Sequence, residues 1–259
     1  AYHKVAASLY LGFGPVGTQG IRKAITPESD KKAVDQENRL LLAVPNEQNE
    51  CFESIMQLVH WFGAIGGRSR NGWGSLLLKG RKLKGLEALN QSDLLLKELA
   101  RPLKECLNLD WPHAFGKDDK GLLIWTSKQP HNTWRDVIVE LAKIKIAFRT
   151  MLKFIKAKGD FEQRHILAYP VTNHSVFQWD KYKVDWASGT RNGRLPNQLR
   201  FKVIAENNQF FGIAYHLPCS IPKELQDALK PEDRHLINQQ QLSIWQTVHQ
   251  QLDAEMQRI

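Results

Sequence analysis

Residues 63–75 read Gly-Ala-Ile-Gly-Gly-Arg-Ser-Arg-Asn-Gly-Trp-Gly-Ser and separate a helical pattern from a strand-like pattern. We call this segment the glycine-rich loop. Before it, apolar residues recur every three or four positions from Cys51 to Phe62, which predicts an amphipathic helix. After it, residues 75–79 are predicted to form a strand. The segment is neither a nucleotide-triphosphate loop, which needs Gly-Lys-Ser/Thr, nor a dinucleotide fingerprint, which opens a helix after a strand.

Two more strands are predicted in front of this helix. Apolar residues alternate along residues 3–11, which is typical of a strand with one buried face. A continuous apolar run, Leu40-Leu41-Leu42-Ala43-Val44, predicts a second strand over 39–44. The first part of the chain therefore has the predicted order strand, strand, helix, strand.

The second part of the chain contains helical and strand-like patterns in turn. The predicted helices cover 92–107, 133–156 and 232–258, and the predicted strands cover 121–127, 166–169, 199–205 and 210–217. Thr133 or Asn132 is the predicted N-cap of the middle helix. The last two strands flank Glu206-Asn207-Asn208, which indicates a hairpin.

Both element orders match pieces of the βαββαβ ferredoxin-like unit. We therefore expect an α+β fold of tandem ferredoxin-like (RRM-like) domains, one over residues 1–88 with the glycine-rich loop and one over residues 89–259. The first domain would be incomplete, because it lacks an opening strand and helix. The sequence begins with Ala1 and not with Met, and we expect that its natural start is missing.

The composition favours a folded protein with a polyanionic partner. Hydrophobic residues make up 42% of the 259 residues and charged residues 24%, which excludes wholesale disorder. The 36 Lys+Arg against 27 Asp+Glu give a formal net charge of +9. A surplus of this sign favours nucleic acid or an anionic membrane surface as a partner.

The number of cysteines and the hydropathy of the sequence indicate the cellular compartment in which the protein is expected. The three cysteines form no Cys-x-x-Cys pair, so the sequence supports neither a structural zinc site nor a disulfide framework. We see no signal peptide and no apolar run near the roughly 18 residues that span a bilayer. These features favour a cytoplasmic protein that does not enter a membrane.

The glycine-rich loop carries residue types that hold phosphate. Its glycines leave backbone amides available as donors, and Arg68 and Arg70 add guanidinium groups that can grip a phosphate with two hydrogen bonds. Trp73 offers a flat face on which a base can stack. Residues 63–85 contain six basic residues and no acidic one.

A structural interpretation of the same residues stands beside this one. Glycine-rich connections between a helix and a strand are common, and a tryptophan in such a connection often belongs to the core. The sequence alone leaves this alternative open.

The loop resembles that of the RAMP superfamily, whose members are subunits of type III CRISPR–Cas effector complexes. The family form is roughly Gly-Gly-(Leu/Ile)-Gly-(Ala/Ser)-Arg-Ser-Arg-Arg-Gly-(Phe/Trp)-Gly-Ser. This chain departs from it at Ala64, Gly67 and Asn71. Asn71 stands where the family has a second arginine, so one positive charge is lost there.

Two further segments are similar to the head subunit of the type III-B complex. Residues 10–15, which include Gly14, and the following Arg22 and Lys23 resemble the stretch before the family's second helix. Residues 194–203 resemble its C-terminal strand, with a basic, flexible patch around them. The basic side chains of this patch are Arg191, Arg194 and Arg200.

The resemblance implies a non-catalytic RNA-binding subunit of an antiviral ribonucleoprotein, with guide RNA, target RNA and other effector subunits as partners. It implies no cofactor, no metal and no catalytic residue. The residues expected to contact RNA are Gly14, Arg22, Lys23, Gly66, Gly67, Arg68, Ser69, Arg70, Asn71, Gly72, Trp73, Gly74, Arg191, Arg194 and Arg200.

Two other functions stay open at this point. One is a metal-independent endoribonuclease that processes precursor guide RNA, for which His165, His174 and His216 are the candidate general bases. The other is an assembly subunit that uses the basic loop to dock neighbouring RAMP proteins.

Overall fold

The computed structural model describes residues 7–12, 16–17, 20–21, 41–79, 83–152, 159–169, 171, 174–180 and 195–259. Within these ranges the chain is a mixture of helices and small sheets, so the predicted α+β class is confirmed.

The helices differ widely in length. In chain order they are α1 (Ala7–Gly12), α2 (Asn49–Phe62), α3 (Leu94–Glu98), α4 (Leu103–Cys106), α5 (Trp134–Met151), α6 (Phe177–Asp180), α7 (Lys223–Asp227) and α8 (Pro231–Glu255). Short 3₁₀ turns lie at Asn46–Gln48, Leu86–Ala88 and Gln163–Ile166.

The strands are mostly short. In chain order they are β1 (Val16–Gly17), β2 (Gly20–Ile21), β3 (Ala100–Pro102), β4 (Phe115–Asp118), β5 (Gly121–Leu122), β6 (Ile124–Thr126), β7 (Leu199–Glu206), β8 (Gln209–His216) and β9 (Gln257–Arg258). Among the described residues, β1 pairs with β2, a second sheet has the order β3-β4-β5, and a third has the order β7-β8-β6-β9. The β3–β4 pair is parallel, whereas the β4–β5 and β6–β9 pairs are antiparallel.

The chain divides into two compact units, neither of which is continuous in sequence. The first unit comprises Ala1–Asn90, Gln129–Lys143 and Phe201–Ile213, and the second comprises Gln91–Lys128, Ile144–Arg200 and Ala214–Ile259. Helix α5 and strands β7 and β8 therefore each contribute residues to both units. The sequence-based boundary between residues 88 and 89 assumes continuous domains and stays a prediction.

Helix α2 and the β7–β8 hairpin were correctly predicted. The two-residue turn of the hairpin consists of Asn207 and Asn208, whose φ angles are 50° and 62°. Positive φ at both positions fits the twist of antiparallel strands, and asparagine adopts it more readily than most residues. Thr133 caps α5, because its hydroxyl accepts a hydrogen bond of 3.2 Å from the backbone amide of Asp136.

Several predicted strands are wrong within the described residues. Residues 7–12 form helix α1, in which Leu11 is fully buried. Residues 41–45 have no regular structure, and Leu41 is 92% exposed, because an apolar run becomes a strand only where another strand pairs with it. In the segment 75–79, only Ser75 makes a β-bridge, to Ala64.

Other elements are shorter than the sequence suggested. The helix expected over 92–107 is interrupted by β3, where Pro102 lacks the amide that a continuous helix would need. The strand expected over 121–127 is divided between β5 and β6, which belong to different sheets. A 3₁₀ turn replaces the start of the strand expected over 166–169. The C-terminal helix ends at Glu255 and is followed by β9.

The core of the second unit contains an unusual number of aromatic rings and histidines. Trp125, His216, Trp245 and His249 are all at most 2% exposed. The ring centroids of His216 and Trp245 lie 4.0 Å apart, and His216 Nδ1 lies 3.0 Å from His249 Nε2. One proton shared between these two nitrogens satisfies both, so each histidine is held in its neutral form.

The C-terminus of the chain is fixed to the same core. Arg258 in β9 forms an ion pair of 2.6 Å with Asp118, and its guanidinium group lies over the ring of Trp125 at 5.3 Å. The indole of Trp125 donates a hydrogen bond of 2.7 Å to Asp253 of α8. These contacts hold the two-residue strand β9 at the edge of the sheet.

In the part of the chain that the structure describes, no helix combines the length and the apolar content needed to cross a bilayer.

The buried histidines predict that acid destabilises the protein. Burial, followed by the neighbouring histidine, lowers the pKa of His216 well below 6.5, and burial lowers the pKa of His249 to about 3. Below pH 6.5 the unfolded chain therefore takes up protons that the folded chain does not, and the free energy of unfolding falls. The expected slope is up to about 1.4 kcal/mol per pH unit for each histidine.

Urea unfolding between pH 7.5 and pH 5 measures this slope. The variant His249→Gln should have a smaller slope, whereas His113→Gln, at an exposed position, should match the parent. An unfolding free energy that stays constant across this range would contradict the prediction.

Candidate nucleic-acid interface

The glycine-rich loop is closed at its base by backbone hydrogen bonds. Helix α2 ends where the amide of Gly63 donates to the carbonyl of Val59 at 2.8 Å. Two further hydrogen bonds join the two sides of the loop. The amide of Leu76 donates to the carbonyl of Gly63 at 3.0 Å, and the amide of Ile65 donates to the carbonyl of Gly74 at 2.9 Å. The loop is therefore a closed structure whose tip lies between residues 65 and 74.

Four residues of the loop have positive φ angles. They are Gly66 (85°), Arg68 (66°), Gly72 (84°) and Gly74 (66°). At Gly74 the requirement for glycine is strict, because a Cβ atom would collide with the backbone oxygen of Ile65. Arg68 adopts the left-handed conformation without being glycine, and such residues are concentrated at functional sites.

The tip of the loop faces solvent. Gly66, Gly67, Arg68 and Arg70 are exposed. In the described part of the chain, the amides of Gly66, Gly67 and Ser69 donate no hydrogen bond. Unpaired donors next to two arginines form a surface that suits an anion such as a phosphate group.

Asn71 lies inside the protein. It is 8% exposed, and its side-chain Nδ2 donates to the carbonyl of Leu11 at 3.0 Å. The carbonyl of Leu11 lies in the last turn of α1, where backbone carbonyls have no hydrogen-bond partner within the helix. The backbone amide of Asn71 donates a hydrogen bond of 2.8 Å to the carbonyl of Arg68, and Asn71 also forms a β-bridge with Phe201. Its side-chain amide thus donates a hydrogen bond within the chain, and its predicted contact with RNA stays a prediction.

Trp73 and Gly72 fix the loop against α5. The ring of Trp73 packs edge to face against Trp134, with centroids 5.7 Å apart and an angle of 76° between the planes. A Cβ atom on Gly72 would lie 3.2 Å from Ile138 Cδ1, so glycine allows the close approach. Trp73 is half-buried, and its indole Nε1 is buried without a hydrogen-bond partner in the described structure.

Three consecutive residues of β7 hold the loop from the other side. The amide of Phe201 donates to the carbonyl of Arg70 at 3.0 Å. The amide of Val203 donates to the hydroxyl of Ser75 at 3.0 Å, and this hydroxyl donates to the carbonyl of Gly72 at 2.9 Å. Each end of the loop tip is therefore bound to the same strand.

Lys202, between these two residues, is completely buried. Its ammonium group donates to the carbonyl of Val59 at 3.2 Å and to the carbonyl of His60, the last turn of α2. Burial lowers the pKa of Lys202 to about 7. Burial also lowers the pKa of His60, and the positive charge of Lys202 adds to this effect.

The other predicted RNA-contacting residues are placed as follows. Gly14, Arg22, Lys23, Arg191 and Arg194 lie outside the described residues. Arg200 is half-buried at the start of β7 and belongs to the second unit. The residues from Gly66 to Gly74 are brought together in one loop of the first unit.

Sequence reasoning missed Lys202 and Phe201 as parts of the site, and it missed the role of the Ser75 hydroxyl. Lys202 carries no signal that predicts burial, because a lysine between Phe201 and Val203 in a strand is expected on the solvent side. Ser75 was regarded as the start of a strand, whereas its hydroxyl connects the loop to β7.

Two of the three histidines considered as general bases are buried, and the third, His174, is half-buried. His165 is 1% exposed, and its Nδ1 and Nε2 atoms lie 2.9 Å from the amide of Glu162 and 3.1 Å from the carbonyl of His174. His216 is completely buried and bound to His249. Over the ranges that the structure describes, no group of three or more His, Cys, Asp or Glu side chains could hold a metal ion.

Comparison of the chain with models of protein families, with curated proteins and with solved structures found no match. The chemistry of the glycine-rich loop therefore defines the class of site. It is a loop closed by hydrogen bonds, with backbone donors and arginines exposed at its tip, which suits an anionic ligand.

The burial of Asn71 predicts that an arginine at this position harms the fold. Asn71→Arg would place a guanidinium group where there is no space for it and would remove the bond to Leu11. We expect the free energy of unfolding to fall by about 1–3 kcal/mol. Urea unfolding measures this, with Ser69→Arg, at a partly exposed position of the same loop, as the control. Equal stability of the two variants would contradict the placement of Asn71.

The lowered pKa of Lys202 predicts a second effect of pH on stability, which acts above pH 7 and not below pH 6.5. Between pH 7 and pH 10.5 the unfolded lysine stays protonated while the folded one is neutral, so the parent becomes more stable as the pH rises. Lys202→Met removes this effect. The stability of the parent relative to Lys202→Met should rise by up to about 1.4 kcal/mol per pH unit above pH 7.

Urea unfolding of both proteins at pH 7, 8 and 9 tests this prediction. Lys97→Met, at an exposed position, should keep a constant difference from the parent over the same range. A constant difference for Lys202→Met as well would show that the lysine titrates as it does in water.

Proposed function

We propose that the protein is a non-catalytic RNA-binding subunit of a type III CRISPR ribonucleoprotein and that the glycine-rich loop contacts the phosphate backbone of RNA. The observation that supports this most directly is the exposed loop tip, where the amides of Gly66, Gly67 and Ser69 donate no hydrogen bond in the described chain. Arg68 and Arg70 stand beside these amides and are exposed.

The loop suits backbone contacts better than base recognition. Amides and guanidinium groups bind phosphate oxygens whatever the base, and they position an RNA without reading its sequence. In an RNA-guided complex the sequence is read by base pairing, so the protein needs contacts of this type only. The exposed part of Trp73 adds a surface for stacking that accepts any base.

The resemblance to the RAMP superfamily supplies the finer parts of the proposal. These are the tandem ferredoxin-like arrangement of the domains, guide RNA and target RNA as ligands, other effector subunits as neighbours, and the cytoplasm as the compartment. The predicted contacts Gly14, Arg22, Lys23, Arg191 and Arg194 belong to this proposal as well.

A second candidate is an assembly subunit whose loop docks a neighbouring protein. Ile65 favours it, because this side chain is 65% exposed beside the arginines. Crosslinking of the loop within the assembled complex separates the two functions, since an assembly loop crosslinks to protein and an RNA-binding loop crosslinks to RNA. For the endoribonuclease, two of the three candidate bases, His165 and His216, are buried, whereas His174 is half-buried.

Salt dependence tests the RNA-binding proposal. We expect the affinity for guide RNA to fall steeply as the salt concentration rises, because phosphate contacts release counterions. In the double variant Arg68→Ala/Arg70→Ala the logarithmic slope should decrease by about 1.4, which is two contacts at about 0.7 each on a single strand. The affinity at moderate salt should fall by about tenfold or more.

The control is Lys97→Ala/Lys104→Ala, which removes the same charge from exposed positions of the second unit. It should keep the slope of the parent. Affinity that does not change with salt, or a loop variant that binds guide RNA like the control, would overturn the proposal.

A further inference from the structure

Three segments of the second unit meet at a polar corner around Cys219. The amide of Cys219 donates to the side-chain oxygen of Gln198 at 2.8 Å, and the amide of Leu217 donates to the backbone oxygen of Gln198 at 3.2 Å. The amide of Ser220 donates to the carbonyl of Leu109 at 2.7 Å, which brings the loop after α4 to the same place. The corner is thus built by hydrogen bonds between segments that are distant in sequence.

Gln198 has a buried donor with no partner. The residue is 4% exposed, and its Nε2 atom makes no hydrogen bond in the described structure. The bond from Cys219 to Oε1 fixes which end of the amide is the oxygen, so the unpaired atom is the donor. A buried donor without an acceptor is unfavourable, and each such group in a folded protein requires an explanation.

Arg200 presents a second unpaired donor two residues further along the chain. Its Nε atom is buried without a hydrogen-bond partner, and its side chain forms no ion pair with a described residue. Gln198 lies in a bend directly before β7 and Arg200 is the second residue of that strand, so the two unpaired donors belong to residues two positions apart. Arg200 is half-buried, so a ligand from solvent can reach its guanidinium group.

Arg200 also lies within electrostatic range of Cys219. Burial raises the pKa of the Cys219 thiol to about 11, Asp110 adds to the rise, and Arg200 opposes it. Gln198 contacts Cys219 by a hydrogen bond, and the charge of Arg200 acts on the thiol of the same cysteine.

We propose that Gln198 and Arg200 form a binding site for a phosphate group in the second unit. The ligand accepts hydrogen bonds from the amide Nε2 and from the guanidinium group, and its negative charge balances the arginine. A phosphodiester offers only acceptors, and inorganic phosphate keeps at least two unprotonated oxygens at neutral pH, so either ligand can accept from two donors that lack acceptors.

The one acidic side chain known to act on this corner is Asp110, which accepts a hydrogen bond of 3.4 Å from the amide of Lys223. It forms no ion pair with Arg200 among the described contacts. Its charge opposes an anion at the corner, so Asp110→Asn should strengthen phosphate binding.

The site does not depend on the proposed function, because inorganic phosphate can be tested without RNA. Thermal unfolding of the full chain is followed at rising phosphate concentration, with chloride adjusted to keep the ionic strength constant. The melting temperature of the parent should rise with phosphate by mass action. Arg200→Met should show an apparent phosphate affinity that is lower by about tenfold or more.

Gln198→Glu is a second variant, which keeps the proposal testable if Arg200→Met does not fold. Its carboxylate can still accept the bond from Cys219, and it places a negative charge beside Arg200 in place of the ligand. We expect its melting temperature to be insensitive to phosphate. The control Lys104→Met, at an exposed position of the same unit, should respond like the parent.

An RNA arm of the experiment identifies the source of the phosphate group. If the site holds a phosphate of the RNA backbone, Arg200→Met and Gln198→Glu weaken RNA binding and inorganic phosphate competes with RNA. If it holds a free phosphate, the variants lose the phosphate response and bind RNA like the parent. A parent that does not respond to phosphate, or variants that respond like the parent, would overturn the site. A parent that responds to phosphate but does not bind RNA would overturn the proposed function alone.

Discussion

The buried amino group of Lys202 is the interaction on which the glycine-rich loop depends. Removing a charged group from water is unfavourable, and burial lowers the pKa of Lys202 to about 7, so the group gives up much of its charge at neutral pH. The carbonyls of Val59 and His60 at the end of α2 accept hydrogen bonds from this group whether it is charged or neutral. The C-terminal end of α2 is thereby fixed to β7, and the loop starts at that end.

Consecutive residues of one strand therefore perform separate tasks. Phe201 and Val203 bind the two sides of the loop tip through their amides, while Lys202 between them binds the helix. Because the three contacts come from adjacent residues, they fix the loop, the helix end and the strand in one arrangement. A loop fixed in this way loses little conformational freedom when a ligand binds, which favours affinity.

The sequence correctly predicted elements that depend on a local pattern of residues. Its predictions were wrong where an element forms only by pairing with a distant strand. Helix α2 and the hairpin at Asn207-Asn208 follow from the spacing of apolar residues and from turn chemistry. The run Leu41–Val44 is apolar but does not pair, and Pro102 divides a pattern that looked helical. For the site, the glycines and arginines identified the loop, whereas the burial of Asn71 and Lys202 depends on contacts with α1 and α2 that no local pattern shows.

The two faces of the loop explain why its residues allow both a structural and a functional interpretation. Asn71, Gly72 and half of Trp73 face inward and serve packing, as the structural interpretation requires. Gly66, Gly67 and Arg68 face outward, with positive φ at Gly66 and Arg68. The inward residues hold the outward ones in a conformation that a free peptide would rarely adopt. Packing in this loop is thus the condition for an exposed set of donors, and a substitution on the inner face acts on the outer face through the backbone.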